Sequence, residues 1–290
     1  STWKPVLDKV RSRLSGWKRR LLSFAGRLTL IKSILSSLPI YYLSLFKMPL
    51  GVVREIERLE ASFLWGGNGL KRKVHLVKWA EVSKNRNQGG LGIRRIKDVN
   101  DSLILKWWWY FGSEVNALWR RVLCSKYRIE EANWTPPVLS SSIHSRIWSD
   151  VLATAGRNPH LVEFFLGKYQ IKVGNGCRIK FWYDKWVGDR CFKDKFPRLF
   201  SLSNDKDGTL SCYSARKSSE EEWNLSFRRD LYDWKKEEVA SMAAILGVAP
   251  SLRVDVEDYP IWNGSLGGSF KVADLYRFCD ASMGPQLKIC

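Results

Sequence analysis

The stretch LILKWWWYFGSEVNALWRRVLCSKY, residues 103–127, places three tryptophans in a row and adds a fourth at Trp119. Successive residues of an α-helix turn by about 100°, so the rings of Trp107, Trp108 and Trp109 spread over about 200° of its surface. They cannot all stack on one flat groove of a ligand. Because most of their neighbours are apolar, we predict that these rings pack mainly on protein. Three cations are then expected to reach outward: Lys106, Arg120 and Arg121.

Two further helices are predicted upstream of this stretch. In residues 17–38 the apolar side chains recur at spacings of three and four, which predicts one amphipathic helix that ends near Pro39. A second helix is expected to open at Pro49 and to stop at the glycine pair after Trp65, since proline favours the first turn of a helix and glycine its end. Asp98 or Asn100 is the expected N-cap of the helix that carries the tryptophans.

The second half of the chain predicts short strands mixed with helices. Residues 171–181 alternate in polarity around a Gly-Asn-Gly turn, which is typical of a β-hairpin, and a second hairpin is expected within residues 261–272. Residues 196–222 are polar and rich in serine, which favours a loop, and residues 231–247 predict a helix. With the helical first part, this mixture predicts the α+β fold class, mainly helical and basic at first and then mixed, with short β-hairpins and helices.

The positive charge is concentrated in the first part of the chain. The whole sequence carries a formal net charge of +19 and a pI near 9.8. Residues 1–125 hold 24 Lys and Arg against 8 Asp and Glu, whereas residues 126–290 have a net charge of only +3. A balance of this kind points to a polyanionic partner, with nucleic acid first and an anionic membrane surface second.

Ten cations of the basic part are the predicted phosphate contacts. Arg20 and Arg27 lie seven residues apart, which would place both on one face of the first predicted helix. The neighbouring glycines 89, 90 and 92 would allow a ligand to approach the backbone closely. The alternative for each cation is an ordinary solvated surface. The ten residues are Lys18, Arg19, Arg20, Arg27, Lys32, Lys71, Arg72, Lys73, Arg94 and Arg95.

Catalytic and metal-binding patterns are weak in this sequence. The six cysteines form no C-x-x-C pair, and the three histidines lie near none of them, so neither a zinc site nor a disulfide scaffold is indicated. Asp184 with Asp189, or Asp255 with Glu257 and Asp258, are the acidic residues that could hold a pair of metal ions, but turn and surface positions are the favoured interpretation. We therefore expect no catalytic residues, no metal site and no cofactor in this chain.

The sequence also indicates where in the cell this protein is expected. No signal-peptide pattern and no apolar run of about 20 residues is present, so secretion and a membrane span are not expected. Scattered cysteines fit a reducing nuclear or cytoplasmic setting.

Several segments, in order, resemble the part of plant non-LTR (LINE-type) retrotransposon reverse transcriptases that follows the catalytic palm. They include IERLEASFLWGG at residues 56–67, GGLGIRRIKDVNDSLILKWWWYF at residues 89–111 and VGNGCRIKFWYDKWVGD at residues 173–189. The family's palm carries two adjacent aspartates for metal ions, whereas the segment WYDKW here has one Asp. The resemblance therefore implies a thumb and a connector without the catalytic centre.

Residues 258–278 resemble the start of the zinc-binding domain that follows in this family. Trp262, Gly268, Phe270 and Val272 fit its pattern, and Lys271 stands where the family has Ser. The sequence ends at Cys290, before the family's Cys and His ligands, so zinc binding is not expected. The implied domains are a basic helical thumb-like domain (1–132), a linker (133–142), a connector with a β-hairpin (143–257) and a truncated zinc-binding-domain-like segment (258–290).

The resemblance implies a noncatalytic segment of an RNA-directed DNA polymerase that holds template RNA, DNA or an RNA/DNA hybrid through phosphates. A palm domain from outside this chain would be a further partner, and no membrane partner is expected. The alternative is a decayed retroelement remnant or a protein-interaction module with no independent activity. An independent enzyme has the least support.

Overall fold

A computed structural model describes residues 3–18, 22–37, 40–66, 77–137, 145–215, 223, 225–229, 233–247, 250–265 and 267–281. In chain order the helices are α1 (Lys4–Lys18), α2 (Phe24–Ser37), α3 (Ile40–Leu45), α4 (Leu50–Leu64), α5 (Trp79–Val82), α6 (Ile96–Ser113), α7 (Leu118–Tyr127), α8 (Arg146–Leu152), α9 (Thr154–Arg157), α10 (Pro159–Lys168), α11 (Phe192–Lys195), α12 (Pro197–Leu202), α13 (Leu210–Ala215), α14 (Asp233–Gly247) and α15 (Val272–Ala281). The strands are β1 (Tyr169–Lys172) and β2 (Tyr259–Trp262), and a 3-10 helix covers Arg86–Gln88. The predicted α+β class is confirmed.

The chain divides into two compact units, each built from segments that are separate in sequence. Unit 1 comprises Ser1–Trp107, Val138–Phe164 and Lys271–Cys290. Unit 2 comprises Trp108–Pro137 and Phe165–Phe270.

The core of unit 1 forms where α1 and α2 pack on α4. Helix α1 buries Val6, Val10 and Leu14 on one face, and Trp3, directly before the helix, continues this spacing of three and four residues. The opposing face of α4 buries apolar side chains that include Ile56, which is fully buried. The Lys and Arg side chains of α1 and α4 that the structure describes are not buried, so the basic composition of unit 1 does not interrupt its core.

The predicted helix over residues 17–38 is two helices in the structure. Helix α1 ends at Lys18 and α2 begins at Phe24. Ser23 lies directly before α2, and its hydroxyl accepts a hydrogen bond from the backbone N–H of Gly26 at 3.2 Å. A serine in this position satisfies one of the free N–H groups of a helix start. The apolar spacing continued across the break, which is why periodicity alone predicted one helix.

Helix α4 follows its prediction closely. It starts after Pro49, whose extended backbone (φ −62°, ψ 142°) precedes the first turn, and its last residue is Leu64, which Trp65 follows as the C-cap. Gly66 then adopts a left-handed conformation with φ +70°, which glycine reaches without the strain that a side chain would add. This helix is therefore confirmed at both ends.

Helix α6 begins at Ile96, earlier than the caps predicted for it. Asn100 is fully buried inside the helix. Its amide nitrogen donates to the carbonyls of Leu43 and Phe46 at 2.7 and 2.9 Å, and its Oδ1 accepts from the N–H of Met48 at 2.8 Å. The side chain thus satisfies the backbone that joins α3 to α4, and the prediction that it caps α6 is wrong.

The tryptophans of α6 pack on protein, as predicted. In unit 1 the Trp107 Nε1 donates to the Ser44 carbonyl at 2.6 Å. In unit 2 Trp108 is 2% exposed, and the Trp109 ring stacks on Phe270 with a centroid distance of 5.1 Å and an interplanar angle of 13°. These contacts account for the three adjacent rings without a ligand.

Arg120 does not reach outward, and that prediction is wrong. Its side chain is 1% exposed, and its guanidinium donates to the carbonyls of Phe111 at 2.7 Å, Glu131 at 2.7 Å and Asn133 at 3.2 Å. A planar guanidinium can serve several carbonyls at once, which stabilises it in the interior. Arg121, the next residue, is exposed as predicted.

Strands β1 and β2 pair with each other, although they lie far apart in the sequence of unit 2. The prediction was two local hairpins instead. Strand β1 runs antiparallel to β2, and Tyr169 lies opposite Trp262. The turn after β1 is held by Asp258, which directly precedes β2. Its carboxylate accepts hydrogen bonds from the backbone N–H groups of Gly174 at 2.8 Å, Gly176 at 2.9 Å and Arg178 at 3.0 Å. This anchoring brings β2 to the edge of β1, so no local return strand forms there.

Of three other expectations for unit 2, two are wrong and one is confirmed. Asp258 is buried, so its interpretation as a surface residue is wrong. The segment predicted as a loop contains the short helices α12 and α13, which were missed because each is only six residues long. The helix predicted over residues 231–247 is confirmed as α14, with Met242 fully buried.

Candidate nucleic-acid interface

Two cations of unit 1 converge beside a loop glycine. Lys32 extends from α2, Arg86 begins the 3-10 helix, and both side chains meet at Gly92. A Cβ placed on Gly92 would lie 3.5 Å from Cγ of Arg86 and 3.7 Å from Nζ of Lys32. Burial, and in second place the charge of Arg86, lowers the pKa of Lys32. Two like charges brought together in this way raise the local positive potential, which an anion would relieve.

The loop that positions Arg86 is fixed by its own backbone. The N–H of Leu91 donates to the Val82 carbonyl and that of Gly92 to the Lys84 carbonyl, both at 2.9 Å. A Cβ at Gly90 would overlap the Lys84 carbonyl, so a side chain does not fit there. Gly92 has φ +65°, a conformation that glycine adopts without strain. The glycines are thus required by the loop itself, whether or not a ligand approaches them.

Arg94 and Arg95 are adjacent in sequence but differ in their surroundings. The Arg94 side chain is exposed. Arg95 has a side-chain exposure of 16%, and its Nε lies 2.9 Å from Oδ2 of Asp98. Its Nη2 donates to the Cys279 carbonyl at 3.1 Å. Arg95 therefore joins α6 to α15 within unit 1, whereas Arg94 is available on the surface.

Arg27 lies apart from this group, against the end of α4. Its guanidinium occupies the space that a Cβ at Gly66 would take, close to the negative end of the helix dipole. Arg20, which was expected to share a helical face with Arg27, lies outside the described residues. Lys18 is the last residue of α1, and its side chain lies outside the described residues. The other predicted cations outside them are Arg19, Arg20, Lys71, Arg72 and Lys73.

The structure adds Arg86 to the cations that the sequence indicated. Arg86 lies three residues before a glycine pair in the segment NRNQGGLGIRR, and it is exposed. A cation so close to tightly turning glycines is a usable sequence signal, but its proximity to Lys32 depends on the fold. We call Lys32, Arg86 and Arg94 the loop cluster. Gly92 and Arg94 are two residues apart, at most about 7 Å along the chain.

The described ranges contain neither a candidate metal cluster nor a candidate membrane span. No group of three or more His, Cys, Asp or Glu side chains is close enough there to hold a metal ion. No helix in this part of the chain has both the length and the apolar character needed to cross a membrane.

Two curated proteins of Arabidopsis thaliana are similar to this chain. One carries a provisional ribonuclease H name and is 38% identical over 189 residues, which are 65% of this chain and 30% of that protein. The other is a mitochondrial protein of uncharacterised function, 24% identical over 157 residues, which are 53% of this chain and 94% of that protein. No family model matches the sequence. The chain thus spans less than a third of the relative with the ribonuclease H name.

Proposed function

We propose that this chain is a noncatalytic nucleic-acid-binding segment of a plant LINE-type reverse transcriptase, which holds template RNA or an RNA/DNA hybrid through phosphates. Three observations support the proposal: the net charge of +19, the resemblance of the ordered segments, and a relative whose name refers to a ribonuclease. The retroelement origin and the thumb-like role belong to this proposal.

The convergence of Lys32 and Arg86 at Gly92 is the observation on which the proposal chiefly rests. The two side chains come from separate elements, α2 and the 3-10 helix, and backbone hydrogen bonds within the loop hold the segment that carries Arg86. A phosphodiester backbone supplies regularly spaced negative charges, and each neutralised phosphate releases condensed counterions.

The salt dependence of binding tests this role directly. The full chain would be titrated against labelled RNA, duplex DNA and RNA/DNA hybrid by fluorescence anisotropy over a salt series. Lys32→Ala/Arg86→Ala should make the slope of log affinity against log salt shallower by roughly one to two units, since each phosphate contact contributes about 0.7 to 0.9. An unchanged slope in a folded double variant would reject the assignment.

A matched control separates local contacts from net charge. Lys185→Ala/Arg190→Ala removes the same two kinds of charge from exposed positions of unit 2. This variant should keep the slope of the unmodified protein. An equal loss of slope in both double variants would mean that overall charge, and no particular cluster, attracts the ligand.

A protein-interaction role is the second candidate function, and one feature of α3 favours it. Ile40 and Tyr41 are 51% and 70% exposed side by side on this helix. A protein partner, such as a palm domain, would cover them. If the folded chain bound none of the three nucleic acids, this second function would take precedence.

A further inference from the structure

Unit 1 contains an apolar cavity of about 370 Å³ next to the loop cluster. Most of its lining is aliphatic, with Ile40, Leu103 and Ala273 among the contributors, and Tyr276 adds an aromatic ring. Ser102 also lines it, but its hydroxyl donates to the Asp98 carbonyl at 2.8 Å. Arg94 is the one charged side chain among the described residues of the lining. The cavity therefore combines apolar walls with a single cation.

We propose that this cavity accepts one unstacked nucleobase of the bound strand while Arg94 contacts the neighbouring phosphate. The inference rests on the proposed function and names the feature of the ligand that this part of unit 1 recognises. The volume is near the lower limit of pockets that hold small molecules, which suits one ring system and excludes a helix or a strand.

The position of Arg94 favours a nucleotide over a neutral apolar ligand. Arg94 is exposed, and it follows Gly92, where Lys32 and Arg86 meet, by only two residues. Because Arg94 is among the lining residues, a strand with a phosphate on Arg94 would lie at the mouth of the cavity. Ile40 contributes a lining side chain that is 51% exposed, so the cavity is open to solvent on that side.

The lining also sets the kind of base recognition. Aliphatic side chains and a tyrosine ring contact the faces of a base, and every base presents such a face. The lining offers few groups for hydrogen bonds with base edges, so binding should tolerate any sequence. A base paired within a continuous duplex must first leave its stack, which costs free energy. The cavity should therefore favour single strands and junctions over an unbroken duplex.

An abasic strand separates base insertion from phosphate contact. Anisotropy of the full chain would compare a labelled single-stranded RNA with an abasic phosphodiester strand of equal length and charge. The base-containing strand should bind at least about fivefold more tightly, as expected for one stacked base. Ala273→Trp, which fills the cavity from an exposed position of α15, should reduce this ratio to about one and leave the affinity for the abasic strand unchanged.

Two further variants make the result decisive. Ala281→Trp places the same ring at an exposed position of the same helix that does not line the cavity, and it should keep the ratio. Ala273→Met fills the cavity with a smaller and flexible side chain, and circular dichroism would confirm that each variant is folded. A ratio near one in the unmodified protein, or a ratio that survives in both filled variants, would overturn the inference.

The outcomes also separate a failure of this inference from a failure of the proposed function on which it rests. A ratio near one, together with a slope that still depends on Lys32 and Arg86, would reject the base cavity and keep the phosphate contacts. Absence of binding to either strand by the folded protein would reject both.

Discussion

The carboxylate of Asp258 accepts a hydrogen bond from the backbone N–H of Gly174, 84 positions earlier in the chain, at 2.8 Å. The same carboxylate also accepts from Gly176 and Arg178. Asp258→Ala would leave three N–H groups without this acceptor, and hydrogen bonds to a charged acceptor contribute about 1.5 kcal/mol or more each. We expect the free energy of unfolding, measured in urea, to fall by roughly 3–5 kcal/mol. Asp255→Ala, at an exposed neighbouring position, should change it by less than about 0.5 kcal/mol, and equal losses would contradict this role.

Arg120 and Arg121 form a natural pair for a second test. Arg120→Ala would remove the donor shared by the carbonyls of Phe111, Glu131 and Asn133, and buried carbonyls without partners should destabilise unit 2 by about 3 kcal/mol or more. Arg121→Ala removes an exposed cation from the same helix and should be nearly neutral. Thermal unfolding followed by circular dichroism would measure both. Equal stability of the two variants would show that the carbonyls find other donors.

Asp184 should make the stability of unit 2 depend on pH in the acid range. Its Oδ2 accepts from the N–H of Lys180 at 2.7 Å and from Trp134 Nε1 at 3.1 Å. Burial raises its pKa to about 6, although these hydrogen bonds partly oppose the shift. Between an unfolded-state pKa near 3.9 and this value the native state binds more protons, so the contribution to the free energy of unfolding falls as pH rises from about 4 to about 6.

Asp184→Asn tests this contribution while it retains an oxygen that can accept both hydrogen bonds. Urea unfolding between pH 4 and pH 7 should show the variant gaining stability relative to the unmodified protein as pH rises. Asp189→Asn, at an exposed position nearby, should show no such trend. A constant difference between the unmodified protein and Asp184→Asn would refute the assignment.

The buried carboxyl group of Glu60 should make the stability of unit 1 depend on pH in the same direction, over a range that extends to higher pH. The side chain is 1% exposed on α4. Burial, together with the nearby Glu57 carboxylate, raises its pKa well above the usual value. Above about pH 4.3 the native state then binds more protons than the unfolded chain. The free energy of unfolding therefore falls as pH rises through the raised pKa. Unfolding measured from pH 5 to pH 9 should show Glu60→Gln gaining on the unmodified protein, while the exposed Glu163→Gln should not.

The sequence predicted those features that depend on neighbouring residues. Helix α4 was predictable because Pro49 and Gly66 mark its ends and its apolar spacing matches the helical repeat. The packing of the tryptophan rings followed from simple helical geometry. Concentrated positive charge in the first part was also visible without any structure.

The features that were missed depend on partners far away in the chain. Asn100 looked like a cap, yet its side chain serves the carbonyls of Leu43 and Phe46. The Gly-Asn-Gly turn looked like part of a local hairpin, but Asp258 directs a different strand to β1. The proximity of Arg86 to Lys32 could not be predicted, because it depends on how the fold places α2 beside the loop. Such polar contacts are specific in geometry and leave no periodic signal in the sequence.

The pairing of β1 with β2 has a consequence for the synthesis of this protein on the ribosome. Tyr169 lies opposite Trp262, so about 90 residues must be added before β1 meets its partner. At about 5–20 residues per second, this interval lasts roughly 5 to 20 seconds. During that time the nascent strand carries open backbone donors and acceptors, which invite pairing with other chains. Translation speed over this segment, and chaperones that reach it, should therefore influence the yield of folded protein.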